Sequence, residues 1–213
     1  MPQIAPPRPA VRLPAGVEVF VVTHPEVYID PAVPVPDWGL SPAGRARLEH
    51  LVTLPWVAGL SRVVASTERK AVETAAVLAE AAGVPAAHDP ALGENDRSAT
   101  GYLPPAEFEA VADEFFARPE VSVRGWERAV DAQRRIRSAV HRAVDGATGD
   151  LAVVAHGGVG ALLLCDLLGV PIDRRHEQPG QGSWFVFDAA TGRVAHGWRR
   201  LGDRSGTVTL DLQ

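Results

Sequence analysis

Two apolar runs in this chain each lead into a histidine, and they constrain the fold more than any other feature. The first, "VEVFVV" at 17–22, leads through Thr23 into His24, and the second, "LAVVA" at 151–155, leads directly into His156. Continuous apolar runs of this length are typical of strands in a parallel sheet that helices cover on both faces. Ligands of such sheets bind beyond the carboxyl ends of the strands. Either histidine alone is more often an ordinary loop residue, but two of them at two strand ends predict one shared site.

The first half of the chain alternates between extended and helical patterns. Ser41 and Pro42 suit the N-cap and the first turn of a helix. After a short strand, "RVVAS" at 62–66, a second helical segment stops at Gly83, which suits the residue after a helix. The order strand, helix, strand, helix indicates a parallel α/β arrangement.

The second half of the chain continues the same alternation. A helix is expected near 105–117. A long amphipathic helix then precedes the second apolar run, with four apolar residues at near-helical spacing: Val130, Ile136, Val140 and Val144. An all-apolar helix follows His156, and a terminal hairpin turns around Thr191 and Gly192. We predict a three-layer α/β/α sandwich with a mostly parallel central sheet.

The chain is long enough for one domain and shows no internal repeat. Its 213 residues support a single core of ordinary size. The first 16 residues hold five of the 18 prolines, so we expect a loose arm at 1–16 and a single domain at 17–213. That arm contains no apolar segment long enough for a signal peptide or a membrane span.

Charge and cysteine content exclude several classes of function. The formal net charge is −5 and no long run of Lys or Arg occurs, which argues against non-specific binding to nucleic acid. The single cysteine, Cys165, lies in an apolar run and has no intramolecular partner for a disulfide. These features, with no segment that suits a membrane, predict a cytoplasmic protein.

Glycines after the second histidine suggest an anion site. Gly157 and Gly158 open the all-apolar helix, and the free N–H groups at a helix N-terminus bind phosphate and other anions. A histidine next to such a site suits phosphoryl chemistry. The same glycines also fit a tight turn with no ligand.

Four motifs in order make the sequence resemble the histidine phosphatase superfamily, which has the phosphoglycerate-mutase-like fold. The resemblance covers roughly 17–200. "VVTHPE" resembles the strand that ends in Arg-His-Gly, and "VVAHGG" resembles Ser-His-Gly. "ALGEND" resembles Leu-x-Glu. "ASTERKAVETA" resembles Ser-Pro-Leu-x-Arg-Ala-x-x-Thr-Ala, with the matching residues Ser66, Ala71, Thr74 and Ala75.

The resemblance implies a role for each matching position. His24 would be the nucleophile that accepts the phosphoryl group, Glu94 the proton donor, and His156 the second histidine that holds the phosphate. Neither a metal nor another cofactor is implied. The five remaining histidines are scattered along the chain with no metal-ligand spacing: His50, His88, His141, His176 and His196.

The sequence departs from the family pattern at the residues that would clamp the phosphate. Thr23 stands where the family has its first arginine, Pro25 replaces the glycine, and Lys70 replaces the second arginine. Arginine grips phosphate with two parallel N–H groups, whereas lysine offers one hydrated point charge. Arg69 is adjacent to Lys70 but points about 100° away from it on a helix, so the family spacing favours Lys70.

Another cation is therefore expected to complete the site. Arg97 follows Glu94 by three residues, in the loop that the family uses to cover the site, although it also suits an ion pair with Asp96 or Glu107. Weaker candidates are Arg62, Arg124, Arg174 and Arg175. The predicted substrate-binding residues are thus Thr23, Lys70, Arg97 and Gly157.

These residues predict a phosphatase that hydrolyses a small phosphorylated metabolite or phosphohistidine through a phosphohistidine intermediate. A mutase is less favoured, because it must bind a bisphosphorylated intermediate in a pocket that looks poor in charge. The other alternative is a catalytically impaired relative that binds an anionic ligand or a protein partner. The segment at about 88–125 is expected to form a small lid, with its aromatic residues packed into a core of its own. The substrate's identity and the oligomeric state stay open.

Overall fold

A mixed sheet of six strands forms the centre of the protein. A computed structural model describes residues 16–202. The strands are β1 (Glu18–Thr23), β2 (Arg62–Ala65), β3 (Ala86–His88), β4 (Leu151–Ala155), β5 (Ser183–Asp188) and β6 (Val194–Arg200). Their order across the sheet is β3-β2-β4-β1-β5-β6. Strands β3, β2, β4 and β1 run parallel, β5 is antiparallel to β1, and β6 is antiparallel to β5.

Five α-helices flank this sheet. They are α1 (Pro42–Leu51), α2 (Arg69–Ala82), α3 (Pro105–Ala117), α4 (Ala129–Val144) and α5 (Gly157–Leu168). Apolar residues of α1 and α2 pack in one buried cluster, and those of α3, α4 and α5 pack in another. The predicted three-layer α/β/α sandwich with a mostly parallel sheet is confirmed.

Strand β1 shows why its sequence is apolar from Val19 to Val22, after an exposed Glu18. Val19 and Val21 belong to the cluster with α4 and α5, whereas Phe20 and Val22 belong to the cluster with α1 and α2. Successive side chains of a strand point to opposite faces, so a strand that is covered on both faces must be apolar at every position. After Val22, polar character returns at Thr23, and this is where the site begins.

Local signals set the ends of the helices as predicted. The Ser41 hydroxyl accepts a hydrogen bond from the Gly44 N–H at 3.0 Å and caps α1. Gly83 has a φ of 68° and ends α2 in the left-handed conformation, which glycine adopts without strain. The terminal hairpin turns where expected, with Gly192 at a φ of 72°.

Two packing details differ from the sequence interpretation. Val130 is only partly buried, because the face of α4 toward the core is made largely of alanines. The aromatic residues of the 88–125 segment do not form a separate core. Phe115, Phe116 and Trp126 join the cluster under the sheet, since that cluster extends continuously from α4 to α3.

The proposed arm at 1–16 lies outside the described residues except for Gly16. Among residues 16–202, no helix has the length and apolar character that a bilayer crossing requires. Cys165 is buried within α5.

Candidate functional site

A cavity of about 460 Å³ opens at the carboxyl ends of the parallel strands. Five of the seven predicted site residues line it: His24, Lys70, Glu94, Arg97 and Gly157. The other two, Thr23 and His156, are fully buried behind the wall. Strands β1, β2 and β4 are neighbours in the sheet, so the residues that follow them meet at one edge.

His24 is held as a neutral imidazole with one nitrogen fixed. Its Nδ1 lies 2.8 Å from the carbonyl oxygen of Pro25, and because a carbonyl only accepts, Nδ1 carries the proton. Burial, followed by the charge of His156, lowers the pKa of His24 to about 3. The Nε2 atom therefore keeps its lone pair near neutral pH, which a nucleophile requires.

His156 lies directly beside His24, with ring centroids 5.2 Å apart. Its Nε2 is 2.9 Å from the Ser66 hydroxyl and 3.3 Å from Oε1 of Glu68, whereas its buried Nδ1 has no hydrogen-bond partner among the described residues. Burial lowers the pKa of His156, against the opposing charges of Glu68 and Glu94. Because a carboxylate only accepts hydrogen bonds, Nε2 is the nitrogen that carries the proton.

Lys70 lines the cavity, but its charge already has a partner. Its side chain is 4% exposed, and Nζ donates to Oε2 of Glu68 at 2.5 Å and to the Val35 carbonyl at 2.9 Å. Burial opposes the charge on Glu68, but His156 and Lys70 outweigh it and lower the pKa of Glu68 to about 2. Arg69 points outward and pairs with Glu73 at 2.9 Å.

The carboxylate of Glu94 sits at the N-terminus of α5. Its oxygens accept hydrogen bonds from the N–H groups of Gly158 at 3.1 Å, Val159 at 3.0 Å and Asn95 at 3.1 Å. The predicted anion site at this helix end is thus filled by a side chain of the protein. A β-carbon at position 158 would lie 2.8 Å from Oε1 of Glu94, which explains why this position suits glycine.

Arg97 differs from Lys70 in having no acidic partner. It is half-buried, and among residues 16–202 no carboxylate oxygen lies within 4.0 Å of its guanidinium. Its Cζ instead lies 5.1 Å from the ring centre of Phe108 and 5.6 Å from that of Trp126. Stacking on aromatic rings holds a guanidinium in place without neutralising it. The alternative interpretation of an ion pair with Asp96 or Glu107 does not describe this arrangement.

Thr23 does not line the cavity but contacts Gln178, which does. The Thr23 hydroxyl accepts from the Ser183 N–H at 2.9 Å and donates to Oε1 of Gln178 at 2.5 Å. Gln178 lines the cavity, and a β-carbon at Gly157 would lie 2.4 Å from its Nε2. The Gln178 amino group is thus directed to the cavity wall beside Gly157, as an uncharged donor.

The mouth of the cavity carries a second group of charges. Arg174 donates to Oδ1 of Asp113 at 2.5 Å, to Oε2 of Glu177 at 2.9 Å and to a carboxylate oxygen of Glu109. These contacts join α3 to the segment after α5. We refer to Arg174, Glu109, Asp113 and Glu177 as the rim cluster, and to Glu68, Lys70, Glu94 and His156 as the floor cluster.

The other weaker candidates for a site cation lie outside the cavity lining. Arg62 donates to carbonyl groups at the end of α4, and Arg124 pairs with Glu107 at 2.5 Å. Arg175 is exposed and lies 3.5 Å from Asp173. Their charges therefore do not complete the pocket.

Glu68 and Gln178 are the two residues that sequence reasoning missed. Glu68 lies two residues before Lys70, at the position where the phosphatase motif has leucine. An acidic residue at an apolar position of a phosphate-binding motif was the available signal. Gln178 carries no such signal, because it lies in a loop about 155 residues from its partner Thr23.

Within the described part of the chain, no three His, Cys, Asp or Glu side chains are grouped so that they could hold a metal ion.

The sheet order and the paired histidines at its carboxyl edge define an α/β protein of the phosphoglycerate-mutase-like class. The chain belongs to the histidine phosphatase superfamily, because the model of branch 1 of this superfamily matches residues 32–198. The match begins after His24, so the Thr-His-Pro segment lies outside it. No curated protein matches the chain.

Solved structures of the same fold include several bacterial phosphatases. A mycobacterial glucosyl-3-phosphoglycerate phosphatase is 22% identical with a TM-score of 0.70, covering 86% of this chain and 96% of its own. Bacillus stearothermophilus YhfR is 23% identical with a TM-score of 0.72, covering 85% and 95%. A putative α-ribazole-5′-phosphate phosphatase from Escherichia coli is 19% identical with a TM-score of 0.64, covering 91% and 99%. The mycobacterial enzyme has also been solved with inorganic phosphate and with vanadate.

Proposed function

We propose that the protein is a phosphatase that hydrolyses a small phosphorylated metabolite or phosphohistidine through a phosphohistidine intermediate on His24. The observation that carries this proposal is the 2.8 Å hydrogen bond from Nδ1 of His24 to the Pro25 carbonyl, which leaves Nε2 free at the cavity. Membership of the superfamily and the phosphate-bound mycobacterial relative support it.

The first half of the reaction is attack by His24 on the phosphorus atom. Nε2 forms the new bond while the bond to the leaving oxygen breaks, and the Nδ1–H···O=C contact stabilises the charge that develops on the ring. Arg97 and the Gln178 amino group would stabilise the phosphoryl oxygens, with His156 held close behind His24. The role of Pro25 is thus to present the carbonyl that orients the nucleophile.

Glu94 is the proposed acid–base group. It lines the cavity, and three backbone N–H groups fix its carboxylate in place. In the second half of the reaction, this carboxylate would take a proton from the water that attacks phosphohistidine. In the first half the same group would pass a proton to the leaving oxygen, and the proton taken from water would leave with the phosphate product.

A second candidate function is an impaired relative that binds an anion or a protein partner without turning it over. The observation that favours it is the internal pairing of Lys70 with Glu68 at 2.5 Å, which neutralises a cation expected to bind phosphate. The same shortage of free charge argues against a mutase, since a bisphosphorylated intermediate needs cations for two phosphoryl groups.

The segment at about 88–125 borders the cavity. The segment at about 88–125 contributes Arg97 and Phe108 to the cavity wall, and α3 contributes two acids to the rim cluster. We propose that it covers the bound substrate. A location in the cytoplasm stays a prediction from composition.

The proposed function is tested by hydrolysis of p-nitrophenyl phosphate together with phosphate labelling. We expect the wild type to hydrolyse the ester and to carry an acid-labile phosphoryl group on Nε2 of His24. His24→Ala should lose both, with activity reduced at least about a thousandfold, because the nucleophile is absent. His141→Ala, which changes an exposed histidine of α4, is the matched control. A folded wild type that binds phosphate but forms no phosphohistidine would favour the binding protein instead.

A further inference from the structure

Every charged group of the cavity floor is already balanced within the protein. Glu68 accepts from Lys70 at 2.5 Å and lies 3.3 Å from Nε2 of His156. Glu94 accepts the N–H groups at the N-terminus of α5, which would otherwise attract an anion. The floor cluster therefore offers an incoming phosphoryl group no unpaired positive charge.

The positive charge at the rim of the cavity is also paired within the protein. Arg174 lines the cavity, but it is bonded to three carboxylates at once. Its charge is more than balanced by Glu109, Asp113 and Glu177. An anion at the mouth would meet an excess of negative charge there.

Arg97 is thus the one cation of the cavity wall that lacks a carboxylate within 4.0 Å among residues 16–202. Phe108 and Trp126 hold its guanidinium at 5.1 and 5.6 Å from their ring centres. The uncharged amino group of Gln178 is the other fixed donor on this wall. The free positive charge of the site is one unit.

We propose that this cavity selects the phosphoryl group as a monoanion, that is, a phosphate monoester with one proton still attached, and not as the dianion. The inference rests on the proposed function and specifies the ionic form of its substrate. One negative charge matches Arg97. A second would face the carboxylate of Glu94, and the charge of Lys70 is already balanced by Glu68.

A monoanionic substrate also supplies the proton that the reaction needs. Glu94, held as an acceptor by three N–H groups, can take the proton from the phosphoryl oxygen and pass it to the leaving oxygen. The bond from phosphorus to the leaving oxygen breaks, the bond to Nε2 of His24 forms, and the leaving group departs as a neutral alcohol. The total charge is unchanged.

The groups that face the bound phosphoryl come from every element around the cavity. Those that line it are His24 after β1, Lys70 of α2, Glu94 and Arg97 in the loop before α3, Glu109 of α3, and Arg174 and Glu177 after α5. Glu68 and His156 lie behind this lining, beside Lys70 and His24. Arg135 of α4 lies below the floor and donates to the Glu94 carbonyl at 3.1 Å.

Near neutral pH, His24 and Glu68 hold constant charge. The pKa of His24 is about 3 and that of Glu68 about 2, and burial lowers the pKa of His156. Burial raises the pKa of Glu177, although Arg174 opposes this, so a ligand that does not titrate is needed as a reference.

The test measures the binding of two ligands by calorimetry at pH 6 and pH 8. Methyl phosphate has a second pKa of about 6, so its monoanion falls about fiftyfold between these two values. Dimethyl phosphate stays a monoanion throughout. We expect the wild type to bind methyl phosphate about fiftyfold more weakly at pH 8, and dimethyl phosphate equally at both values. A methyl phosphate affinity that is equal or higher at pH 8 would overturn the inference.

A variant at Glu68 tests whether the pairing of Lys70 with Glu68 is what weakens binding of the dianion. Glu68→Gln leaves the charge of Lys70 unbalanced and keeps an oxygen for the Glu94 N–H, so methyl phosphate at pH 8 should bind at least tenfold more tightly than in the wild type. Glu73→Gln, which removes an acid of α2 outside the cavity, should change the affinity less than threefold. No gain in Glu68→Gln, with its fold intact by circular dichroism, would contradict the charge balance.

The outcomes also separate this inference from the proposed function. Hydrolysis of the ester with pH-independent or dianion-favoured binding would overturn the monoanion inference and leave the phosphatase standing. A folded wild type that neither binds these ligands nor forms phosphohistidine would overturn both.

Discussion

The floor cluster and the rim cluster both contain an ion pair between a carboxylate and a basic side chain, yet they lie in different environments. In the floor cluster, the side chains of Lys70 and Glu68 are 4% and 12% exposed. In the rim cluster, the side chains of Glu109 and Asp113 are 59% and 70% exposed. The same kind of ion pair is therefore nearly dry in the floor cluster and more hydrated in the rim cluster, where Arg174 and Glu177 are 26% and 29% exposed.

This difference in exposure indicates which cluster holds the site residues in place and which cluster can separate. A buried pair is costly to form, but removing one partner leaves an unbalanced charge that water cannot reach. A hydrated pair contributes little to stability and is screened by salt. We therefore expect the floor cluster to hold His24 rigidly in place. The rim cluster should contribute little to holding α3 in place.

Loss of Lys70 should produce the largest effect. Lys70→Met leaves the Glu68 carboxylate buried without its cation, so the free energy of unfolding should fall by about 3 to 5 kcal/mol. Urea denaturation at pH 7 measures this change. The double variant Glu68→Gln with Lys70→Met removes both charges and should recover most of the loss.

The double variant also decides whether charge is the cause. Methionine fills nearly the same volume as the lysine stem, so a packing defect would persist in the double variant. If the double variant is as unstable as Lys70→Met, the floor cluster does not depend on charge balance, and its contrast with the rim cluster fails.

Loss of Arg174 should have a smaller and more local effect. Arg174→Gln removes hydrated contacts, so the global free energy of unfolding should fall by only about 1 kcal/mol. Since those contacts join α3 to the segment after α5, amide hydrogen exchange should become about tenfold faster in α3 and stay unchanged in β4. Faster exchange in β4, or a loss as large as that in Lys70→Met, would show that the rim is as structural as the floor.

Most of the fold could be predicted from the sequence, because the local signals for each element agree with the overall topology. The apolar run of β1, the Ser41 cap and Gly83 each specify an element without reference to distant residues. The short edge strand β3 was missed, since its sequence is largely alanine and has no strong β preference.

The candidate site was only partly predictable for a physical reason. Strand ends locate His24 and His156, because the topology brings them to one edge. Charge balance depends on which side chains touch: Glu68 pairs with its near neighbour Lys70 and also contacts His156 across the fold. The number of free charges in the pocket is therefore a property of the packed structure, which a motif does not contain.

The most direct test of the central claim asks which cation binds the phosphoryl group. The measurement is the dissociation constant of methyl phosphate at pH 6 for two proteins, Arg97→Gln and the double variant Glu68→Gln with Lys70→Met, with Arg69→Gln as an exposed control. We predict that Arg97→Gln binds at least tenfold more weakly, while the double variant and the control stay within threefold of the wild type, because the Glu68–Lys70 pair carries no net charge. Wild-type affinity in Arg97→Gln, together with a loss of more than tenfold in the double variant, would contradict the account and assign the phosphate to Lys70.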